Sequence, residues 1–116
     1  MYSETLLAHF RDPANVGELE PPAAMVEVMN PVCGDILRLS VLWEDGRAAE
    51  VRYKARGCTA SIAAGSALTL LLVGESRESM GKITAARVEE ALGGLPNESK
   101  HAAVLCVDAI RRIREG

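Results

Sequence analysis

Residues 37–56 read LRLSVLWEDGRAAEVRYKAR. In the first half Leu37, Leu39, Val41 and Trp43 alternate with Arg38 and Ser40. In the second Ala49, Val51, Tyr53 and Ala55 alternate with Glu50, Arg52, Lys54 and Arg56. A period of two marks a strand with one buried and one wetted face. Between the runs, Glu44-Asp45-Gly46-Arg47 carries the Asp-Gly pair of a tight hairpin turn. The stretch predicts two antiparallel strands whose dry face must be covered by something else.

The cover is read on either side. After Gly57 the apolar period becomes helical from about Thr59 to Val73, ending at Gly74, and the small residues Ala63, Ala64, Gly65 and Ser66 allow close approach to a neighbour. Upstream, Met25 to Met29 is a shorter, weakly patterned strand. Ser3 to Phe10 makes a first helix with Leu6, Leu7 and Phe10 on one side, packing as a lid; Asp12-Pro13 ends it, and a loop follows around Gly17 and Pro21-Pro22. Downstream, a helix over Thr84 to Leu92 closes at Gly93-Gly94, and a last helix begins near Asn97 or Ser99 and runs to about Arg114. Strands followed by helices imply an α+β fold: a three-stranded, mainly antiparallel sheet covered on one face by helices, with helices at both termini. Residues 1–116 read as one domain, without a repeat or linker.

Bulk properties narrow the function. Aromatic residues are 3% of the chain against 48% hydrophobic residues overall, so the core is expected to be aliphatic. A net charge of −3 argues against a nucleic-acid-binding surface, and the basic cluster Arg111, Arg112 and Arg114 reads as the wetted end of the terminal helix. The most apolar stretch, Ala60 to Val73, is interrupted by Ser61, Ser66 and Thr69 and falls short of the roughly 20 residues a membrane span needs. Met1-Tyr2-Ser3-Glu4 lacks the basic segment of an export signal, so a cytoplasmic protein with reduced thiols is expected. No base–nucleophile pair or phosphate-binding glycine loop points to an enzyme.

Three cysteines carry the chemistry. Asn30-Pro31-Val32-Cys33-Gly34-Asp35 sets a thiol and a carboxylate two residues apart around a glycine that lets the chain turn, so both can face one ion. Cys58 stands where the charged strand gives way to the buried helix, and a helix N-terminus favours thiolate. The antiparallel hairpin brings the start of its first strand beside the end of its second, and so Cys33 beside Cys58. His101 opens the last helix, where the positive helix end favours the neutral, metal-binding imidazole. The plainer alternatives are a core or incidental cysteine and a surface histidine near a cap. His9 shows no partner in the sequence and reads as a packed or exposed side chain.

Motif order then becomes specific. Asn30 to Asp35, Gly57-Cys58 with Ser61, Leu95-Pro96, Lys100-His101, and Leu105 with Asp108-Ala109-Ile110 resemble the U-type iron–sulfur cluster assembly scaffold family, typified by IscU, SufU and the N-terminal part of NifU. Tyr2-Ser3-Glu4, His9-Phe10 and Asn15-Val16-Gly17 are similar to the family's first segment, so the likeness spans almost the whole chain. It implies a scaffold holding iron or a [2Fe–2S] cluster, or zinc in its place, through Cys33, Asp35, Cys58 and His101. It further implies a cysteine desulfurase, a chaperone and co-chaperone pair and acceptor apo-proteins as partners.

The chain departs from the pattern at one ligand. The family's third cysteine directly follows the histidine, where this chain has Ala102. Ser99 stands in place of the lysine two before the histidine, and Leu95 to Ser99 matches the chaperone-recognition stretch only in part. Cys106, the remaining thiol, is a candidate substitute ligand about 40° around and about 6 Å along the helix from Ala102. It also belongs to an apolar stripe with Ala103, Val107, Ile110 and Ile113, which is the reading of a core cysteine. Two rivals to the scaffold stay open: a zinc-holding module that regulates the assembly machinery, and a metal-free degenerate paralogue that only binds partners.

Overall fold

The computed structural model describes the chain from Met1 to Gly116. Helix α1 (Glu4–Arg11) precedes strands β1 (Ala24–Met29), β2 (Ile36–Glu44) and β3 (Arg47–Arg56). Helices α2 (Thr59–Leu72), α3 (Arg77–Met80), α4 (Ala85–Ala91) and α5 (His101–Glu115) follow, with a 3-10 turn at Asn97–Ser99 before the last. The strands form one antiparallel sheet in the order β1-β2-β3, as the α+β reading requires. No helix is long and apolar enough to cross a membrane.

The hairpin turns at Asp45 and Gly46, both with positive φ, the mirror-image geometry that matches strand twist. Its dry face carries Leu37, Leu39 and Val41 opposite Ala55, Tyr53 and Val51. The sequence pattern errs at one residue of β3. A bulge pairs Leu42 with Glu50 but Trp43 with Ala48, so Ala48 is buried and Ala49 is exposed. The extra residue shifts the alternation by one toward the turn.

α2 lies against β3, and α5 against β1 and β2, so two helices share the cover. The core is one cluster of aliphatic side chains, with Tyr53 as its sole fully buried aromatic. α2 is buried on almost every side, which explains its nearly uninterrupted apolar sequence. The outer edge of β3 is closed rather than free: Asn15 and Gly17 exchange backbone bonds with Tyr53, and Ala48 bonds Gly74 and Glu75. The four-residue helix α3, absent from the sequence reading, begins with a reciprocal Ser76–Ser79 capping box and sends Arg77 across the Trp43 ring.

Tyr53 also sets how near α2 may come. Its hydroxyl donates to the Ile62 carbonyl at 2.7 Å, and its ring lies where a Cβ on Gly65 would approach under 3.0 Å. Gly65→Ala gains about 1 kcal/mol of helix propensity but overpacks a buried contact. The net effect expected is a loss of about 1–3 kcal/mol, read as a lower urea midpoint at unchanged slope.

Candidate metal centre

The β1–β2 connection is a closed loop built around Asn30. The Asn30 carboxamide oxygen accepts from the backbone N–H of Val32 at 2.8 Å and of Cys33 at 3.3 Å. Backbone bonds from Gly34 to the Asn30 carbonyl and from Asn30 to the Asp35 carbonyl tie its base. Such a side-chain-supported turn is what asparagine does well, and Gly34 takes the positive φ of 78° that it needs. The loop lifts Cys33 into solvent and turns Asp35 inward.

Ile36 pairs with Arg56, so the start of β2 lies beside the end of β3, as hairpin topology demands. Two residues beyond Arg56, Cys58 is the N-cap of α2 and is half-buried. Gly57 passes so close to Asp35 that a Cβ there would fall under 3.0 Å from the carboxylate. The 3-10 turn then delivers His101 as the first residue of α5. Cys33, Asp35, Cys58 and His101 thus converge at one end of the sheet.

The separations have a definite meaning. The Asp35 Oδ2 atom is 3.4 Å from Cys58 Sγ and 3.3 Å from His101 Nε2, and the sulfur and nitrogen are 3.6 Å apart. A tetrahedral ion with bonds of about 2.3 Å to sulfur and 2.0–2.1 Å to nitrogen or oxygen has edges of about 3.3–3.6 Å. The ligand atoms of Cys33, Asp35 and His101 also lie within 4.8 Å of one another. Three donors therefore hold the spacing of three corners around one cation, with the exposed Cys33 thiol near the open side.

The same atoms are joined by hydrogen bonds. The Cys58 thiol and an imidazole N–H both donate to Asp35 Oδ2, as does the Ser61 hydroxyl at 2.6 Å. Burial pushes the Asp35 carboxyl up. Hydrogen bonds from Ser61, from the Cys58 thiol and backbone N–H, and from Cys33 outweigh it and hold the carboxyl below its ordinary value. A cation held here would need Cys58 as thiolate and His101 with a free ring-nitrogen lone pair.

The other sequence candidates lie elsewhere. Cys106 is buried in the core beside Ala103, Ile110 and Ile113, and desolvation pushes its thiol up to about 12. It stays protonated and covered. Val107 of the same stripe is only half-buried, and Ala102 is fully buried. His9 has the partner that the sequence did not reveal: its Nδ1 lies 2.7 Å from the Ser66 hydroxyl on α2. Ser61 stands in the Gly57-Cys58 motif, and the sequence alone assigns it no role. The available signal was its position three residues after the cap, where a side chain turns back to the helix start.

The family model described as "NifU-like N terminal domain" matches residues 1–113. The "Iron-sulfur cluster assembly scaffold protein IscU 1" of Archaeoglobus fulgidus is 40% identical over 112 residues, 97% of this chain and 73% of that protein. The "Iron-sulfur cluster assembly scaffold protein IscU" of Haemophilus influenzae is 34% identical over 114 residues, 95% of this chain and 90% of its own length. Among solved structures, a nitrogen-fixing NifU-like N-terminal protein from Brucella abortus superimposes with a TM-score of 0.71 at 18% identity, covering 97% of this chain and 94% of that one. Fold, motif order and sequence identity agree, and the chain belongs to the NifU-like N-terminal domain family.

Proposed function

We propose that this protein is an iron–sulfur cluster assembly scaffold that takes its metal cargo at Cys33, Asp35, Cys58 and His101 and holds it without catalysing a reaction of its own. The observation that carries this reading is the single-ion spacing of Cys58 Sγ, Asp35 Oδ2 and His101 Nε2, at 3.3–3.6 Å. Relatives named as iron–sulfur scaffolds support it. Two thiolates, an imidazole and a carboxylate supply four ligands, enough for one tetrahedral iron or zinc or, after rearrangement, for the terminal positions of a [2Fe–2S] unit. A site at the end of the sheet, with Cys33 in solvent, suits cargo that arrives and leaves.

Sulfur reaches such a site when an acceptor thiolate attacks the outer sulfur of a partner's persulfide and the partner's thiolate departs. Cys33 is the exposed nucleophile and Cys58 the half-buried one. Cys106 takes no part while it is buried, and Ala102 offers no thiol. A cysteine desulfurase is the partner this chemistry asks for. Leu95 to Ser99 is the segment for a chaperone and co-chaperone pair, and acceptor apo-proteins take the product. A second reading, a zinc-holding module of the assembly machinery, is favoured by the same one-ion spacing together with Ala102.

Anaerobic purification with metal and sulfide analysis separates the readings. A visible chromophore with acid-labile sulfide is expected; one colourless zinc supports the module, and no metal supports a degenerate paralogue. Cys58→Ala is expected to lose most of the metal. Cys106→Ala should keep it and cost about 1–2 kcal/mol of stability as a small core truncation; equal metal loss in two folded variants would assign the third thiol to the site.

Thiol chemistry gives an independent check. At pH 8 iodoacetamide is expected to modify Cys33 and Cys58 in the folded chain and Cys106 only after denaturation, since a thiol at about 12 is protonated and covered. Ala102→Cys should speed sulfur acceptance from a desulfurase supplied with labelled cysteine and should stabilise the cluster. Wild type equalling Ala102→Cys, with Cys106→Ala inactive, would give the acceptor role to Cys106.

A further inference from the structure

We propose that Ser61 is a positioning residue of this centre, fixing the Asp35 carboxylate so that one oxygen alone faces the cation. The inference rests on the reading of Cys33, Asp35, Cys58 and His101 as a metal site and adds to it the group that orients the carboxylate.

Ser61 lies in the first turn of α2 and is 2% exposed, against 6% for Asp35. Around it, Ala60, Ala63, Ala64 and Ala67 satisfy the packing of the helix without a polar atom. A buried hydroxyl is costly unless it is hydrogen-bonded. The bond that Ser61 donates goes to Asp35 Oδ2 at 2.6 Å, and its other polar neighbour is Cys58 Sγ at 3.6 Å. Both belong to the centre.

The carboxylate is held from two directions. Gly57 lies against its Cγ and Oδ1 side so closely that no Cβ fits, and the Ser61 hydroxyl holds Oδ2. Asp35 precedes the first residue of β2, so sheet pairing does not fix its side chain. Rotation about its terminal torsion is soft, and of the side-chain bonds on Oδ2, from Ser61, Cys58 and His101, the Ser61 bond is the shortest. Oδ2 is thereby kept beside Cys58 and His101, while Oδ1 is turned away. A carboxylate bound through one oxygen completes a four-coordinate set; one free to bind through both favours five or six. Ser61 thus controls coordination number as well as affinity.

Cobalt(II) is the probe, because four-coordinate Co²⁺ absorbs strongly in the visible while five- and six-coordinate ions absorb weakly. Titrations of the intact chain compare wild type with Ser61→Thr, which keeps the hydroxyl, and with Ser61→Val, which has the same shape without it. Each is also made in an Asp35→Ala background, and urea midpoints establish folding. Ser61→Val is expected to bind Co²⁺ about 10–100-fold more weakly, the usual cost of losing a group that orients a ligand, and to lose d–d intensity while keeping thiolate-to-cobalt absorption. Ser61→Thr should restore both. With Asp35→Ala present, Thr and Val should bind alike. Equal affinity and spectra for Ser61→Thr and Ser61→Val with Asp35 intact would overturn the proposal, as would a Thr–Val difference that persists without Asp35. Wild type binding no Co²⁺ would instead bring down the metal-site reading, and this inference with it.

Discussion

The Asp35 carboxylate is enclosed where the β1–β2 loop, the start of α2 and the start of α5 meet, and the geometry of that end of the molecule follows from keeping it satisfied. An unpaired charge at such a depth is among the costliest things a fold can contain. Here it is offset by donors from two helix starts: the Ser61 hydroxyl, the Cys58 thiol and His101. Gly57 is required because any side chain would occupy the carboxylate's space. Cys58 caps α2 without a side-chain bond to the backbone N–H groups of its first turn, so its thiol faces Asp35 and His101 instead. One buried anion therefore links the sheet to both covering helices, and the same anion is the group a cation would neutralise.

Much of the fold was written in local pattern. The alternation of Leu37 to Val41 and of Val51 to Ala55, the Asp45-Gly46 turn, and the glycines ending α2 and α4 each act within a few residues, and these elements form where expected. The bulge at Ala48 and Ala49 was not legible, because two adjacent alanines satisfy either register. α3 is one turn long, too short to show a period. His9 and Ser66 are 57 residues apart, and no local signal joins them.

The convergence of Cys33, Asp35, Cys58 and His101 was legible in the sequence, and what supports it was not. Cysteine, aspartate and histidine declare metal chemistry by type, and hairpin topology brings two of them together. Ser61 and Gly57 are residues whose importance is purely spatial, and a serine in a helix or a glycine after a strand has many uses. Cys106 is the opposite case: its type invites a functional reading, and its surroundings remove it. Helical spacing had placed it on the apolar stripe, and its full burial agrees.

The attachment of α1 has a dynamic consequence. Leu6 is the one fully covered side chain of α1, and the rest of the joint is directional: His9 and the Ala14 N–H meet the Ser66 hydroxyl, and Asn15 meets Thr69. The hydrogen-bonded part of this joint can exchange its partners for water, whereas the burial of Leu6 cannot be replaced so cheaply. Residues 1–17 form an outer layer whose backbone amides are expected to exchange with deuterium before those of β2 and α2.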